Sequence, residues 1–162
     1  MNRLWSIMPA IAALALLAVG VDEAQAQKAP PYWASISAGK ARMRSGPGRN
    51  FPATWLYQRA GLPVKVLEIY PNWRKVEDPD GTQGWMLVNL LSEERTAMVI
   101  GDIRELRATP DAAAKVVWRV EPGVVGTLRR CADGWCELNV GGRRGYIRTA
   151  ELWGVESGES LP

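Results

Sequence analysis

The chain has 162 residues, 20 of them Lys or Arg and 17 Asp or Glu, and a formal net charge of +3; it has no histidine, two cysteines and eight tryptophans. Without histidine there is no Ser-His-Asp or Cys-His nucleophile, no His-ligated zinc and no ordinary general base near neutral pH. Two cysteines cannot build a four-thiolate metal site. Sixteen Gly and eleven Pro, against a single Phe, predict many turns and short strands rather than long helices.

Residues 1–26 read as an export signal. Arg3 gives a short positive region, Leu4 to Val21 is apolar apart from the break at Pro9, and Ala24-Gln25-Ala26 supplies the small-x-small pattern of a signal peptidase site. Cleavage is expected after Ala26, with the protein periplasmic or secreted. The alternative is a retained anchor, because 18 largely apolar residues approach the length of a membrane span. The mature chain then holds 19 basic and 15 acidic side chains, a net of +4. Residues 27–96 carry ten basic and six acidic groups, and residues 97–162 carry nine of each, so the excess belongs to the first half. A charge this small on an exported chain argues against a nucleic-acid partner.

After a short linker at 27–32, the chain repeats itself. Lys40 to Gly48 matches Ile103 to Asp111, Ala60 to Val66 matches Pro122 to Leu128, Asn72 to Glu77 matches Gly134 to Asn139, and Gly84 to Leu91 matches Gly145 to Leu152. The offsets are 63, 62, 62 and 61. Two copies are predicted, at 33–95 and 97–155, with Ser92 to Val99 as the connection and 156–162 as a flexible tail. In the first copy an apolar run at Val64, Val66, Leu67 and Ile69 ends at the Pro71-Asn72 turn. Trp73 and Val76 lead to a second turn at Pro79-Asp80-Gly81, and Gln83 to Leu87 form the next strand. The second copy repeats the order with Val124 to Leu128, Trp135 to Val140, Gly141-Gly142, and Gly145 to Ile147. Short strands joined by Gly, Pro and Asp turns predict an all-β fold of two small barrels or sandwiches.

Cys131 and Cys136 flank an Ala132-Asp133-Gly134 turn between predicted strands. In an exported chain this placement favours a structural disulfide across a hairpin over a redox or metal pair.

These segments resemble the bacterial SH3-like (SH3b) domain family. Ala41 to Gly48 is similar to that family's opening strand and its Arg-Ser-Gly-Pro loop, and Gly61 to Leu67 to the following turn and strand. Asn72 to Val76 and Gly84 to Leu90 are similar to its Trp strand and its closing Gly-Trp strand with a short 3-10 turn. The second copy departs from the pattern: Arg107 to Asp111 lacks the Gly-Pro-Gly loop, and Tyr146 stands where the first copy has Trp85. The resemblance implies a five-stranded, strongly bent β-barrel per copy and a binding role toward cell-wall peptides, peptidoglycan or envelope proteins. It does not extend a binding role to the second copy's loop.

The candidate ligand groove combines Arg44, Arg49, Trp55, Tyr57 and Trp73. Arg42 and Arg44 share a strand face by the two-residue period, and guanidinium groups can hold the carboxylates of acidic wall peptides bidentately. Trp55 and Tyr57 also share a face. Trp73 and its equivalent Trp135 either stack on a ligand or pack a very small core, whereas Trp85 and Tyr146 are expected in the core. Asp78 and Asp80 in a turn, and Glu93 and Glu94 in the connection, lack the separation and burial of paired-carboxylate catalysis. The expectation is a non-enzymatic binding module without metal or cofactor, with a protein-protein adaptor as the alternative.

Overall fold

The computed structural model describes residues 28–162; the export signal read over residues 1–26 lies outside them. The described residues form two antiparallel seven-stranded sheets of equivalent order. The first contains β1 (Tyr32–Ile36), β2 (Ala41–Arg44), β3 (Ala53–Tyr57), β4 (Pro63–Tyr70), β5 (Trp73–Glu77), β6 (Gln83–Leu87) and β7 (Leu91–Ser92). The second contains β8 (Thr96–Val99), β9 (Arg104–Arg107), β10 (Val116–Val120), β11 (Val125–Ala132), β12 (Trp135–Val140), β13 (Arg143–Arg148) and β14 (Leu152–Trp153). The orders are β3-β2-β6-β5-β4-β1-β7 and β10-β9-β13-β12-β11-β8-β14. Each sheet has two more strands than the five the resemblance implied, because the segments before the first loop and after the 3-10 turn also pair. Those turns are at Val88–Leu90 and Thr149–Glu151.

Each sheet bends around its own apolar centre. Ile36, Met43, Val64, Val66, Val76 and Met86 fill the first, and Val99, Leu106, Leu138 and Ile147 the second. The long strands β4 and β11 shift register against β5 and β12 at matching places, Val66/Glu68 and Leu128/Cys131. A bulge of this kind kinks a strand and lets one sheet wrap both sides of a small core.

The closing strands correct one expectation. Trp85 and Tyr146 are only half-buried and lie on the outer face, while Met86 and Ile147 fill the core. The glycines before them decide this. A Cβ at Gly84 would stand 2.4 Å from Met43 Cγ, and one at Gly145 2.6 Å from Leu106 Cβ. β2 crosses β6, and β9 crosses β13, so closely that the inward position tolerates no side chain, and strand alternation then sends the aromatic outward.

The rung that joins β4 to β5 near their turn is built differently in the two barrels. In the second, Cys131 pairs with Cys136 and the two are joined as a disulfide; Asp133 and Gly134, with φ of 52° and 78°, make the intervening turn of the type that hairpin twist favours. In the first, the equivalent partners are Ile69 and Arg74. The Arg74 side chain is buried, and it donates to Tyr32 Oη at 3.1 Å and to the Trp73 and Tyr70 carbonyls at 2.9 and 3.3 Å. A covalent clasp and a hydrogen-bonded guanidinium thus occupy the same place.

Two further expectations are corrected. Ser92 to Val99 is not a linker, since it holds the end of β7 and all of β8. The segment 156–162 is folded back rather than loose. Arg95 grips Glu159 through both terminal guanidinium nitrogens and also donates to the Gly154 carbonyl at 2.9 Å. Leu161 exchanges backbone hydrogen bonds of 3.0 and 3.2 Å with Cys131.

The barrels touch. Trp33 meets Trp153 edge to face at 5.0 Å, and Lys65 lies over the Trp33 ring while bonding Glu156 at 2.7 Å. Arg59 donates to the Gly123 carbonyl at 2.9 Å. Gly154, at φ 117°, is forced to be glycine: a Cβ there would sit 2.4 Å from the Thr96 oxygen and 3.1 Å from Pro63 Cβ.

Candidate functional site

Alternation on β2 turns Ala41 and Met43 inward and sends Arg42 and Arg44 outward. Lys40, one residue before the strand, continues the same row. Facing them, Trp73 opens β5 with its indole largely buried, and Leu87 ends β6. Together Lys40, Arg42, Arg44, Arg49, Trp73, Leu87 and Leu90 line a cleft of about 200 Å³. It runs into a hollow of about 460 Å³ that shares Arg49, Trp73 and Leu87 and adds Asn72, Val88 and Asn89. Among the described residues no carboxylate lines either one, so four cations stand beside an apolar floor.

The cations do different work. Arg44 is committed to its own loop, donating to the carbonyls of Phe51 at 2.6 Å and Arg49 at 3.3 Å. It therefore shapes the wall as much as it offers charge. The loop itself closes because the Phe51 ring packs against Gly46, where any Cβ would come within 2.4 Å of a ring carbon. Lys40, Arg42 and Arg49 are exposed and have no such commitment among the described residues.

Of the five groove residues read from the sequence, the fold brings together Arg44, Arg49 and Trp73. Trp55 and Tyr57 do not line the cleft. Trp55 is 57% exposed on β3, at the sheet edge. Tyr57 is 7% exposed; its hydroxyl donates to Asp78 Oδ2 at 2.7 Å and touches Met43 Sδ at 3.9 Å. Burial and then the Asp78 bond, with the charges of Asp78 and Asp80, push the Tyr57 phenol far above the ordinary tyrosine range. It is a plug in the barrel wall, closed to a ligand. Lys40, Leu87 and Leu90 are absent from that groove reading. The alternation Lys40, Arg42, Arg44 was a legible signal for the first of these.

The family model described as the bacterial SH3 domain matches residues 37–93 and 101–154. The chain belongs to the bacterial SH3 domain family. Solved structures similar to it include NlpC2 and NlpC1 from Trichomonas vaginalis, 16% and 15% identical, with TM-scores of 0.35 and 0.34. These cover 76% and 85% of this chain, and 48% and 50% of their own. An NlpC/P60 family protein from Bacillus cereus ATCC 10987 is 14% identical, with a TM-score of 0.34, over 80% of this chain and 58% of its own. The chain spans about half the length of these structures. No curated protein matches it significantly.

The second SH3 barrel has a counterpart of the cleft, although its loop departs from the family pattern. Trp135 stands for Trp73, Arg107 for Arg44, Glu105 for Arg42, Ile103 for Lys40, Arg148 for Leu87 and Glu151 for Leu90, around about 310 Å³. Arg107 repeats the strut seen in the first SH3 barrel, donating to the Ala114 carbonyl at 2.8 Å. The charges, however, are partly matched within the cleft, where two glutamates stand among four arginines. Glu105 pairs with Arg107 at 2.7 Å and Arg119 at 3.5 Å, and Glu151 pairs with Arg104 at 3.5 Å. The Arg148 guanidinium covers the Trp135 ring at 4.6 Å.

Proposed function

We propose that the protein is a non-enzymatic binding module of the cell envelope, exported by the segment before residue 27, and that the first barrel's cleft takes a carboxylate-bearing wall peptide or glycan of peptidoglycan. The observation that carries this reading is the contrast between equivalent clefts. The first sets Lys40, Arg42, Arg44 and Arg49 around Trp73 without a lining carboxylate, whereas the second offsets half of its four arginine charges with Glu105 and Glu151 and covers its indole with Arg148. An unmatched guanidinium group at the rim of an aromatic floor favours an anionic ligand that also has apolar surface. The charge excess of residues 27–96 is concentrated where that ligand would sit.

Co-sedimentation of the mature protein with purified peptidoglycan tests the reading. The wild type should pellet with it in low salt and be released as salt rises, since exposed ion pairs are screened. Arg42→Glu combined with Arg49→Glu should abolish pelleting. A wild type that stays in the supernatant at low salt would refute the reading. The exposed edge strand β3, with Trp55 57% and Leu56 44% exposed, favours the adaptor as the second reading. One stoichiometric protein captured from envelope extract, without affinity for bare peptidoglycan, would decide for it.

A further inference from the structure

The same position in the two barrels is closed in one and open in the other. In the first, the Tyr57 ring runs from edge strand β3 across Met43 to Asp78. The repeat places Val120, Leu106 and Val140 at these three positions in the second barrel. Tyr57 opposes Ala41 and Val120 opposes Arg104 in the same β-pairing register, so the positions are equivalent in space and not only in sequence. The replacement of a phenol by an isopropyl group, and of its carboxylate acceptor by another, removes the plug and its partner together. What remains is a cleft of about 260 Å³ with Leu106, Val120, Val124 and Val140 among its lining. Trp118 and Arg143 form its rim, the guanidinium 5.1 Å from the indole centroid. Trp118 is itself 43% exposed, and it also borders a hollow on its other side with Val116 and Val117.

We infer that this cleft in the second barrel binds an aromatic side chain presented by a partner polypeptide. The first barrel supplies the template, since an aromatic ring already occupies the equivalent space there. The polypeptide source follows from the setting. The cleft opens beside β10, which ends its sheet, and an edge strand offers unpaired backbone groups to an extended peptide. Pairing along β10 would bring alternate side chains to the cleft. The chemistry selects within the aromatic class. Val140 replaces the acceptor that Asp78 provides for the Tyr57 hydroxyl, and a buried hydroxyl without a partner is disfavoured. The cleft's one lining carboxylate, Glu121, follows Val120 at the end of β10 rather than standing at the Asp78 position, so a ring seated as Tyr57 is fits better as a phenyl than as a phenol. Trp118 contributes an edge or face to the bound ring.

This inference is independent of the charged cleft, which lies on the other barrel, so either can fail alone. The test is an NMR titration of the mature protein, following the Leu and Val methyl signals. The probes are acetylated, amidated Gly-Phe-Gly, the same peptide with Tyr, and the same peptide with Ala. The Phe peptide should bind at roughly millimolar strength, as expected for so small a fragment. Its shifts should be confined to Leu106, Val120, Val124 and Val140. The Tyr peptide should bind about threefold or more weakly, and the Ala peptide should leave the methyls unmoved. The double change Val120→Tyr and Val140→Asp rebuilds the first barrel's plug and should remove the response. Trp118→Ala, at an exposed position that leaves the core intact, should weaken binding about tenfold. Phe-peptide shifts scattered over the surface, or none, would overturn the inference. So would equal binding of all three peptides, or full binding to a folded Trp118→Ala protein.

Discussion

Changing Tyr57 to Phe removes one oxygen from the first barrel and isolates a buried carboxylate. Asp78 is 4% exposed; its Oδ1 receives the backbone N–H groups of Thr82 at 2.8 Å and Asp80 at 3.0 Å, while Oδ2 receives the Tyr57 hydroxyl at 2.7 Å. The turn bonds survive the change and the Oδ2 bond does not. A hydrogen bond to a charged group is worth ~1.5–3 kcal/mol, and the stranded acceptor sets the loss toward the middle of that range, about 2 kcal/mol. For domains of this size that lowers Tm by about 8–16 °C, less if the second barrel melts together with the first. The pH dependence adds a signature. Folding holds the Tyr57 phenol protonated well above the ordinary tyrosine range, by burial first and then by Asp78, whereas the unfolded chain ionises it near ~10. Above that pH the unfolded state binds fewer protons than the folded state, so stability falls as pH rises. The wild type should lose stability from about pH 10 upward more steeply than Tyr57→Phe. Thermal melts across pH 7–11, with an ultraviolet titration of the four tyrosines, measure both. A melting change below about 2 °C, or four tyrosines that all ionise near ~10 in the folded protein, would refute the account of Tyr57 as a hydrogen-bonded plug.

Other outcomes follow from the same geometry. Replacing Cys131 and Cys136 by Ser should cost about 2 kcal/mol for so short a loop, with amide-signal changes centred on β11, β12 and Leu161; uniform changes in both barrels would contradict the local clasp. Arg44→Gln should speed hydrogen exchange in residues 45–52, because the carbonyls of Arg49 and Phe51 lose their donor, and unchanged exchange there would show that the strut is dispensable. Burial alone would raise the Glu159 carboxyl, but the Arg95 hydrogen bond, the Glu156 N–H and the Arg95 charge outweigh it and hold the group below the usual glutamate range. The stabilisation is therefore present above the unfolded pKa of about 4.3 and is lost as pH falls through the lower folded value. Protease nicking within 156–162 should rise in that acid window in the wild type and be high at neutral pH in Glu159→Gln.

The all-β architecture was legible because the repeat doubled every signal: strand-period apolar residues, Gly and Pro turns, and two Trp positions at one offset. The hairpin around Cys131 and Cys136 was legible from its turn residues. The direction of Trp85 was not, because its position depends on how closely β2 crosses β6, a tertiary distance that only the clash at Gly84 makes visible. Tyr57 was misplaced for a related reason. Its hydroxyl finds an acceptor 21 residues away, and no local pattern announces that pairing. The second barrel's cleft was discounted on its altered loop, yet the strut from Arg107 to the Ala114 carbonyl keeps that loop in shape without glycine. The tail read as frayed because its composition is polar and its anchors, Arg95 and Cys131, lie far back in the chain. Charge was partly legible: the excess in residues 27–96 located the right barrel, while only the fold showed that Arg44 serves its loop and that Lys40 joins the cleft.

The central claim is that the first barrel's unmatched cations bind an anionic wall ligand, and that the second barrel's, half offset by Glu105 and Glu151 and with Arg148 laid on Trp135, do not. Peptidoglycan co-sedimentation of three proteins tests it: wild type, Arg42→Glu with Arg49→Glu, and Arg119→Glu with Arg148→Glu. The account predicts loss of pelleting in the first-barrel variant, with the second-barrel variant close to wild type. Equal loss in both variants, or retention in the first, would contradict it.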